Sequence, residues 1–253
     1  MTFIDTHAHV FSPEFDEDRE EMLQRAQAAQ VTQVYMPNIN VASIDAMLQV
    51  EEKHAWCHAM IGLHPCYVKQ EFEKDLAVIE KWLETRSFKG IGEAGLDLYW
   101  DKSLLDQQRE ALRVQCGWAK KYQRPIILHT RDAFQETLEI VQEQQDGTLR
   151  GIFHCFSGTV EEAQAVLGVN FLLGIGGVST FKNGGLEPVL QQIDLKHLVL
   201  ETDSPYLAPV PRRGKRNEPA YLPYVAQRIA EIKSMTVEEV ATATTANALD
   251  LFA

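Results

Sequence analysis

With 253 residues, 45% of them hydrophobic and 24% charged, the chain has the composition of an ordinary soluble globular protein, long enough to bury a large core without staples. Its 36 acidic and 24 basic residues leave a net charge of −12, which argues against broad electrostatic binding of nucleic acid but leaves room for a local site. No apolar run reaches the length of a membrane span and no signal-peptide pattern opens the sequence, so a cytoplasmic protein with no membrane partner is expected.

The chain begins with Phe3-Ile4-Asp5-Thr6-His7-Ala8-His9-Val10, which reads as a buried strand with two imidazoles at its exit. Side chains alternate across a strand, so His7 and His9 share a face. Such a pair suits a borderline divalent metal, or stands as a structural pair in a polar mouth. A helical pattern over 14–30 follows, acidic early and then rich in Ala, Gln and Leu, and a second strand begins near residue 33. Helices over 44–54 and 73–86 flank a strand near 57. A strand near 89 runs into Ile91-Gly92-Glu93, then comes a helix over 104–122, then a strand near 124 that ends in Leu128-His129. After a helix over 133–145, Gly151-Ile152-Phe153-His154 forms a sixth strand. A helix over 160–167, a strand near 170 and a helix over 186–193 lead to the eighth strand near 197, which ends in Glu201-Thr202-Asp203. The basic run Arg212-Arg213-Gly214-Lys215-Arg216 and helices over 219–232 and 237–249 complete the chain.

Strand alternating with helix implies parallel pairing, because parallel neighbours need a crossover, and near-continuous Val, Ile and Leu in the strands implies burial on both faces. Eight such units in this length have the size of a (β/α)8 TIM barrel, an α/β fold, here expected as a single domain over 1–253. A doubly wound open sheet is the alternative, but no glycine-rich phosphate turn follows the first strand. In a barrel the C-terminal strand ends form the active site, and His7, His9, Glu93, His129, His154 and Asp203 all fall there. Closure sets the eighth strand beside the first, so Asp203 should sit next to His7 and His9, with Glu93, His129 and His154 across the mouth. The four scattered cysteines are expected to be reduced, with Cys155 turned by alternation to the face opposite His154. His54, His58 and His197 fall on a helix end or the lower half of strands and are expected to be structural.

The sequence resembles the TatD family of metal-dependent hydrolases, within the amidohydrolase-like superfamily. The resemblance rests on Ile4-Asp5-Thr6-His7-Ala8-His9, Ile61-Gly62-Leu63-His64-Pro65, Ile91-Gly92-Glu93-Ala94-Gly95-Leu96-Asp97, Leu128-His129-Thr130-Arg131, His154-Cys155-Phe156-Ser157-Gly158, Leu200-Glu201-Thr202-Asp203-Ser204-Pro205 and Gly214-Lys215-Arg216-Asn217-Glu218-Pro219. It implies a barrel with a binuclear divalent metal site and a deoxyribonuclease activity that trims DNA from the 3′ end. By motif, His7, His9 and Asp203 would bind one metal, His129 and His154 a second, and Glu93 would bridge both. Arg212 departs from the family, where many relatives carry His or Tyr before the Arg-Gly-Lys.

Paired metals suit a phosphodiester, since they lower the pKa of a bound water and neutralise the phosphoryl oxygens when roughly 3.5–4 Å apart. Asp203 can both ligate and act as general base. Asp5 and Glu201, two residues deeper on the same strands, could orient ligand imidazoles or form plain salt bridges. His64 reads as a phosphate contact, an acid for the leaving group, or a capping residue ahead of Pro65. Arg131, Lys182, Arg213, Lys215 and Arg216 could hold phosphate oxygens. Tyr67, Tyr99, Trp100, Phe156 and Tyr206 lie on the same loops, as base-stacking or lid-packing side chains. The expected cofactors are two divalent ions, magnesium or manganese for activity with zinc also compatible. The expected substrate is single-stranded or end-frayed DNA, and the expected state a monomer. A small ester, amide or phosphoester is the competing substrate class.

Overall fold

The computed structural model describes residues 1–253. Its strands are β1 (Phe3–Asp5), β2 (Val31–Pro37), β3 (Cys57–Met60), β4 (Ile91–Asp97), β5 (Ile126–Arg131), β6 (Gly151–Phe153), β7 (Phe171–Ile175) and β8 (Leu198–Leu200). Between them run α1 (Arg19–Ala28), α2 (Ile44–Lys53), α3 (Phe72–Thr85), α4 (Leu105–Tyr122), α5 (Phe134–Gln144), α6 (Val160–Gly168) and α7 (Glu187–Gln192), and α8 (Leu222–Lys233) and α9 (Val237–Leu251) end the chain. Every strand pair is parallel and joins sequence neighbours, in one run β1-β2-β3 and another β4-β5-β6-β7-β8.

Backbone bonds close both seams. Between β3 and β4, Ile61 donates to the Gly90 carbonyl at 3.1 Å and Gly92 to the Ile61 carbonyl at 2.8 Å. Between β8 and β1, Thr6 donates to the Leu200 carbonyl at 3.0 Å, Asp203 to the His7 carbonyl at 2.9 Å and His9 to the Ser204 carbonyl at 2.8 Å. The result is the (β/α)8 barrel. The strands read as apolar runs because their two faces pack on the barrel interior and on the helix ring, and they are buried throughout much of their length.

The lower end of the barrel is filled. Ile4, Tyr35, Met60, Ile127, Ile152 and Val199, one from each of six strands or strand edges, pack with Ala248, Leu251 and Phe252 from α9 and its exit. The Phe252 ring stacks on Tyr35 with centroids 3.7 Å apart. Only the rim at the C-terminal strand ends remains for a substrate.

Two expected helices have shifted starts. Residues 14–30 contain a 3-10 turn at Pro13–Phe15 and then α1 from Arg19, because the Arg19 guanidinium bonds the carbonyls of Val10, Phe11 and Ser12 and ties the intervening turn down. Residues 219–232 open as a 3-10 turn at Pro219–Tyr221, and α8 begins only at Leu222. That start puts Pro223 in the first turn, where its missing N–H breaks no bond.

Candidate metal centre

Glu93 lies at the centre of the mouth, and the backbone around it explains how a carboxylate gets there. The register of β4 against β5 shifts between Ile91 and Ala94, a bulge that re-aims the side chain between them. Gly92, at φ +149°, makes this possible: a Cβ there would lie 2.9 Å from Ile127 Cβ. Glu93 Oε2 then faces His7 Nε2 at 3.3 Å and His9 Nε2 at 3.4 Å. Its Oε1 faces His154 Nε2 at 2.9 Å, His129 Nδ1 at 3.0 Å and His64 Nε2 at 3.3 Å. Asp203 Oδ1 completes the first group, 3.6 Å from His7 Nε2 and 3.7 Å from His9 Nε2. The His154 ring stacks on His7 at 3.8 Å, so the two groups adjoin.

The far nitrogens of these rings define the chemistry of the near ones. His9 Nδ1 donates to the Pro37 carbonyl at 3.1 Å, and His129 Nε2 donates to Asp97 Oδ2 at 2.8 Å. In a neutral ring that leaves a bare lone pair on His9 Nε2 and on His129 Nδ1, both aimed at Glu93 oxygens. Lone pair against carboxylate at such distances needs positive charge between them or on the rings. A divalent cation would supply it, and imidazole with carboxylate is a donor set such ions accept. His7, His9 and Asp203 form one group of ligand atoms close enough to share an ion, and His64, Glu93 and His129 another.

The ionisation of the site shows the same conflict. Burial raises the Glu93 carboxyl, but the surrounding imidazoles outweigh it and hold the group well below the usual carboxylate range. Burial and the neighbouring His154 charge drive His7 well below the ordinary histidine value. For His129 burial works in the same direction, yet the bonds to Asp97 and Glu93 raise it. Burial pushes Asp203 up to about 6, against the pull of His154 and His9.

A profile of the family described as TatD related DNase matches residues 4–253. The chain belongs to the TatD family. An uncharacterized metal-dependent hydrolase, YabD, of Bacillus subtilis is 42% identical over 249 residues, covering 98% of each chain. A Pantoea ananatis relative named 3′-5′ ssDNA/RNA exonuclease TatD is 31% identical, again over 98% of each chain. The crystal structure of YjjV, a TatD homolog from Escherichia coli, superposes with a TM-score of 0.93 at 29% identity, covering 99% of this chain and 97% of that one. The protein is therefore a metal-dependent hydrolase of the TatD type. Its fold extends to an organophosphorus hydrolase of Deinococcus radiodurans, with a TM-score of 0.64 at 15% identity, 99% of this chain and 93% of that one.

Around the TatD centre the other expected residues divide. His64 is both a cap and a mouth residue: its Nδ1 accepts the Cys66 amide at 3.1 Å, so the neutral ring carries its proton on Nε2, beside Glu93. Asp5 takes neither role foreseen for it. Its carboxyl, pushed up to about 7 by burial, accepts from the Thr202 amide and hydroxyl and the His7 amide, sewing the β8–β1 seam. Glu201 approaches His154 Nδ1 at 3.4 Å and accepts the Cys155 amide. His54 pairs with Glu20 at 3.2 Å, and His58 packs on Tyr35.

Three further findings differ from the sequence expectation. Cys155 is not governed by strand alternation, because β6 ends at Phe153 and Cys155 takes φ +47°. Its thiol, protonated by burial, lies within electrostatic reach of Asp203, Glu201 and Glu93. Arg216, expected on phosphate, bonds Asp18 at 2.7 Å and the Glu14 carbonyl and lies over Phe15 at 4.5 Å, tying the loop after β8 to the loop after β1. Arg131, Lys182, Arg213 and Lys215, by contrast, make no ion pair: Arg131 lies over Tyr99 and Arg213 over Phe181, while Lys215 lines a groove with Arg25, Arg212 and Tyr224. Asp97 was overlooked. It shares a strand face with Glu93, four residues earlier, and that spacing was the available signal.

Proposed function

We propose that this TatD hydrolase is a divalent-metal-dependent 3′-5′ exonuclease that cleaves phosphodiesters of single-stranded or end-frayed DNA. The observation that carries the reading is the division of Glu93: one oxygen serves the His7–His9 side and the other the His129–His154 side. In this reading His7, His9 and Asp203 hold one ion, His129 and His154 hold another, and Glu93 is shared. When bound, divalent ions lower the pKa of water and offset phosphoryl charge.

The chain's own residues account for the rest. Asp203, with 13% of its side chain exposed against 3% for Glu93, is the carboxylate open to an entering water and serves as general base. His64, neutral because burial lowers its pKa, presents Nε2–H as a hydrogen-bond donor to a phosphoryl oxygen and is not the proton source for the leaving group. Arg131, Arg213 and Lys215 neutralise phosphates that flank the cleaved bond. The exonuclease name of the Pantoea relative supports the polarity and the single-stranded substrate.

The test is a substrate panel on metal-reconstituted protein: labelled single-stranded DNA and RNA, blunt duplex, and small esters, amides and phosphoesters, each with magnesium, manganese and zinc. Stepwise release of mononucleotides from the 3′ end is expected, reduced by about 10³-fold or more in Glu93→Ala with the circular dichroism spectrum retained. Turnover of a small ester or amide with no oligonucleotide cleavage under any metal overturns the reading.

A further inference from the structure

We propose that the loop after β4, together with Arg131, forms a stacking subsite for the nucleotide adjacent to the one being released. The inference rests on the nuclease reading and assigns part of its substrate site. Half of the large exposed apolar side chains, Tyr67, Tyr99, Trp100, Tyr206 and Leu207, lie on loops that follow strands at the mouth. Trp100 is the most exposed of them, at 69%. Lid packing does not explain it. Phe156, on the loop after β6, is the lid-packing kind, 3% exposed and set against Phe134.

Asp97 fixes this loop relative to the centre. Its Oδ1 accepts from the amides of Tyr99 at 3.0 Å and Trp100 at 3.1 Å, while Oδ2 holds His129 at 2.8 Å. One buried carboxylate thus sets both a ring that faces Glu93 and the backbone that presents the two aromatics. Arg131 stands two residues beyond His129 on β5, on the same strand face, and the Leu98 amide bonds its carbonyl at 3.0 Å. Its guanidinium lies 3.8 Å over the Tyr99 ring with no carboxylate partner. Tyr99 is therefore occupied in orienting a cation. The guanidinium also lies 5.5 Å from the Trp100 ring centroid, but Trp100, edge-on to Tyr99 at 4.9 Å and 89°, keeps most of its indole open to solvent, at 69% exposed.

An oriented guanidinium beside a largely exposed indole matches a phosphate followed by an unpaired base. A duplex keeps its bases stacked on each other, and a small phosphoester has no base to offer. The occupant is therefore a single-stranded nucleic acid, held by stacking that tolerates any base. Tyr67 and Tyr206, with ring centroids 6.3 Å from His64 and 6.2 Å from His9, flank the centre from other loops.

The experiment measures KM and kcat of the metal-loaded enzyme on 3′-labelled oligothymidylates from two to twelve nucleotides, for the native protein, Trp100→Ala and Trp100→Phe. Stacking of one base is worth about 5- to 150-fold. Trp100→Ala should raise KM for the longer strands by about tenfold or more, with a smaller effect on the dinucleotide, and Trp100→Phe should recover most of it. Val78→Ser, an exposed apolar change on α3 away from the mouth, is the control. A KM for Trp100→Ala within twofold of native at every length overturns the subsite while leaving the nuclease reading intact. If the native enzyme cleaves no oligonucleotide, the nuclease reading fails and the subsite falls with it.

Discussion

An imidazole has two nitrogens, and the partner of one decides what the other can do. At this mouth the Pro37 carbonyl takes the proton of His9 Nδ1 and Asp97 takes that of His129 Nε2, so the opposite nitrogens are left as bases toward the centre. At His64 the relation is inverted, since the Cys66 amide occupies Nδ1 and the proton faces inward. The same side chain thus presents a lone pair to the centre in two places and a donor in a third. Asp97 gives the sharpest test. In Asp97→Asn the oxygen facing Tyr99 and Trp100 can stay, but an amide N–H₂ would meet the His129 Nε2–H. The ring must then move its proton to Nδ1, toward Glu93, and lose the lone pair it would offer a metal. Losing such an outer carboxylate typically lowers metal affinity by about 10- to 100-fold. Metal titration of the apo protein followed by fluorescence or calorimetry should show that loss. Unchanged affinity with unchanged fold would mean that His129 takes its tautomer from elsewhere.

At the scale of elements, the fold closes where the chain is furthest apart in sequence. The β8–β1 seam is held by backbone bonds inside and by charged loops outside, where Asp18 meets Arg216 at 2.7 Å and Arg25 at 3.0 Å, and Arg25 also grips Glu218. The hydrogen bond from Arg216, aided by Arg25, lowers the Asp18 carboxyl to about 2 despite some burial. An acid depressed on folding stabilises the native state above its unfolded pKa of about 3.9, and that contribution disappears as pH falls toward the folded value. Asp18→Asn should therefore cost about 0.2–1 kcal/mol at pH 7, as for an exposed pair, and much less at pH 2. Melting temperatures of both proteins at pH 7, 4 and 2.5 will read this, and a deficit that persisted at the lowest pH would assign the loss to packing. These pairs also show why sequence reasoning misplaced Arg216. Strands and the shared direction of His7 and His9 were legible because the His-x-His spacing is local, whereas the aim of Glu93 depends on the bulge at Ile91–Ala94. A guanidinium partner 198 residues away is not local. Cys155 failed for a different reason, because β6 ends at Phe153, two residues before it, and the chain turns there with Cys155 at φ +47°.

For the whole molecule, a net charge of −12 and a negatively charged substrate pull against each other. The fold answers with few cations on the rim: Arg131, Lys182, Arg212, Arg213 and Lys215 are exposed and without carboxylate partners, whereas Arg216 and Arg25 are already neutralised by Asp18 and Glu218. That the cations cluster beyond the eighth strand was visible in the sequence as Arg212-Arg213-Gly214-Lys215-Arg216, but which of them remain free required the loops to be seen folded. The count has a measurable consequence. Each phosphate neutralised on a single strand contributes a slope of about −0.7 to log K against log salt. If Arg131, Lys182, Arg213 and Lys215 each meet one phosphate, they contribute a slope of about −3, shallow for a nucleic-acid-binding protein. Fluorescence anisotropy of a labelled oligothymidylate between 50 and 200 mM potassium chloride, at fixed divalent metal, should give a slope in that range. The pair Arg213→Ala and Lys215→Ala should reduce its magnitude by about 1.4 if both touch phosphate. A much steeper native slope would bring further cations such as Arg212 onto the phosphate path, and an unaltered slope in the double variant would move that path away from Arg213 and Lys215 toward Arg131 and Lys182.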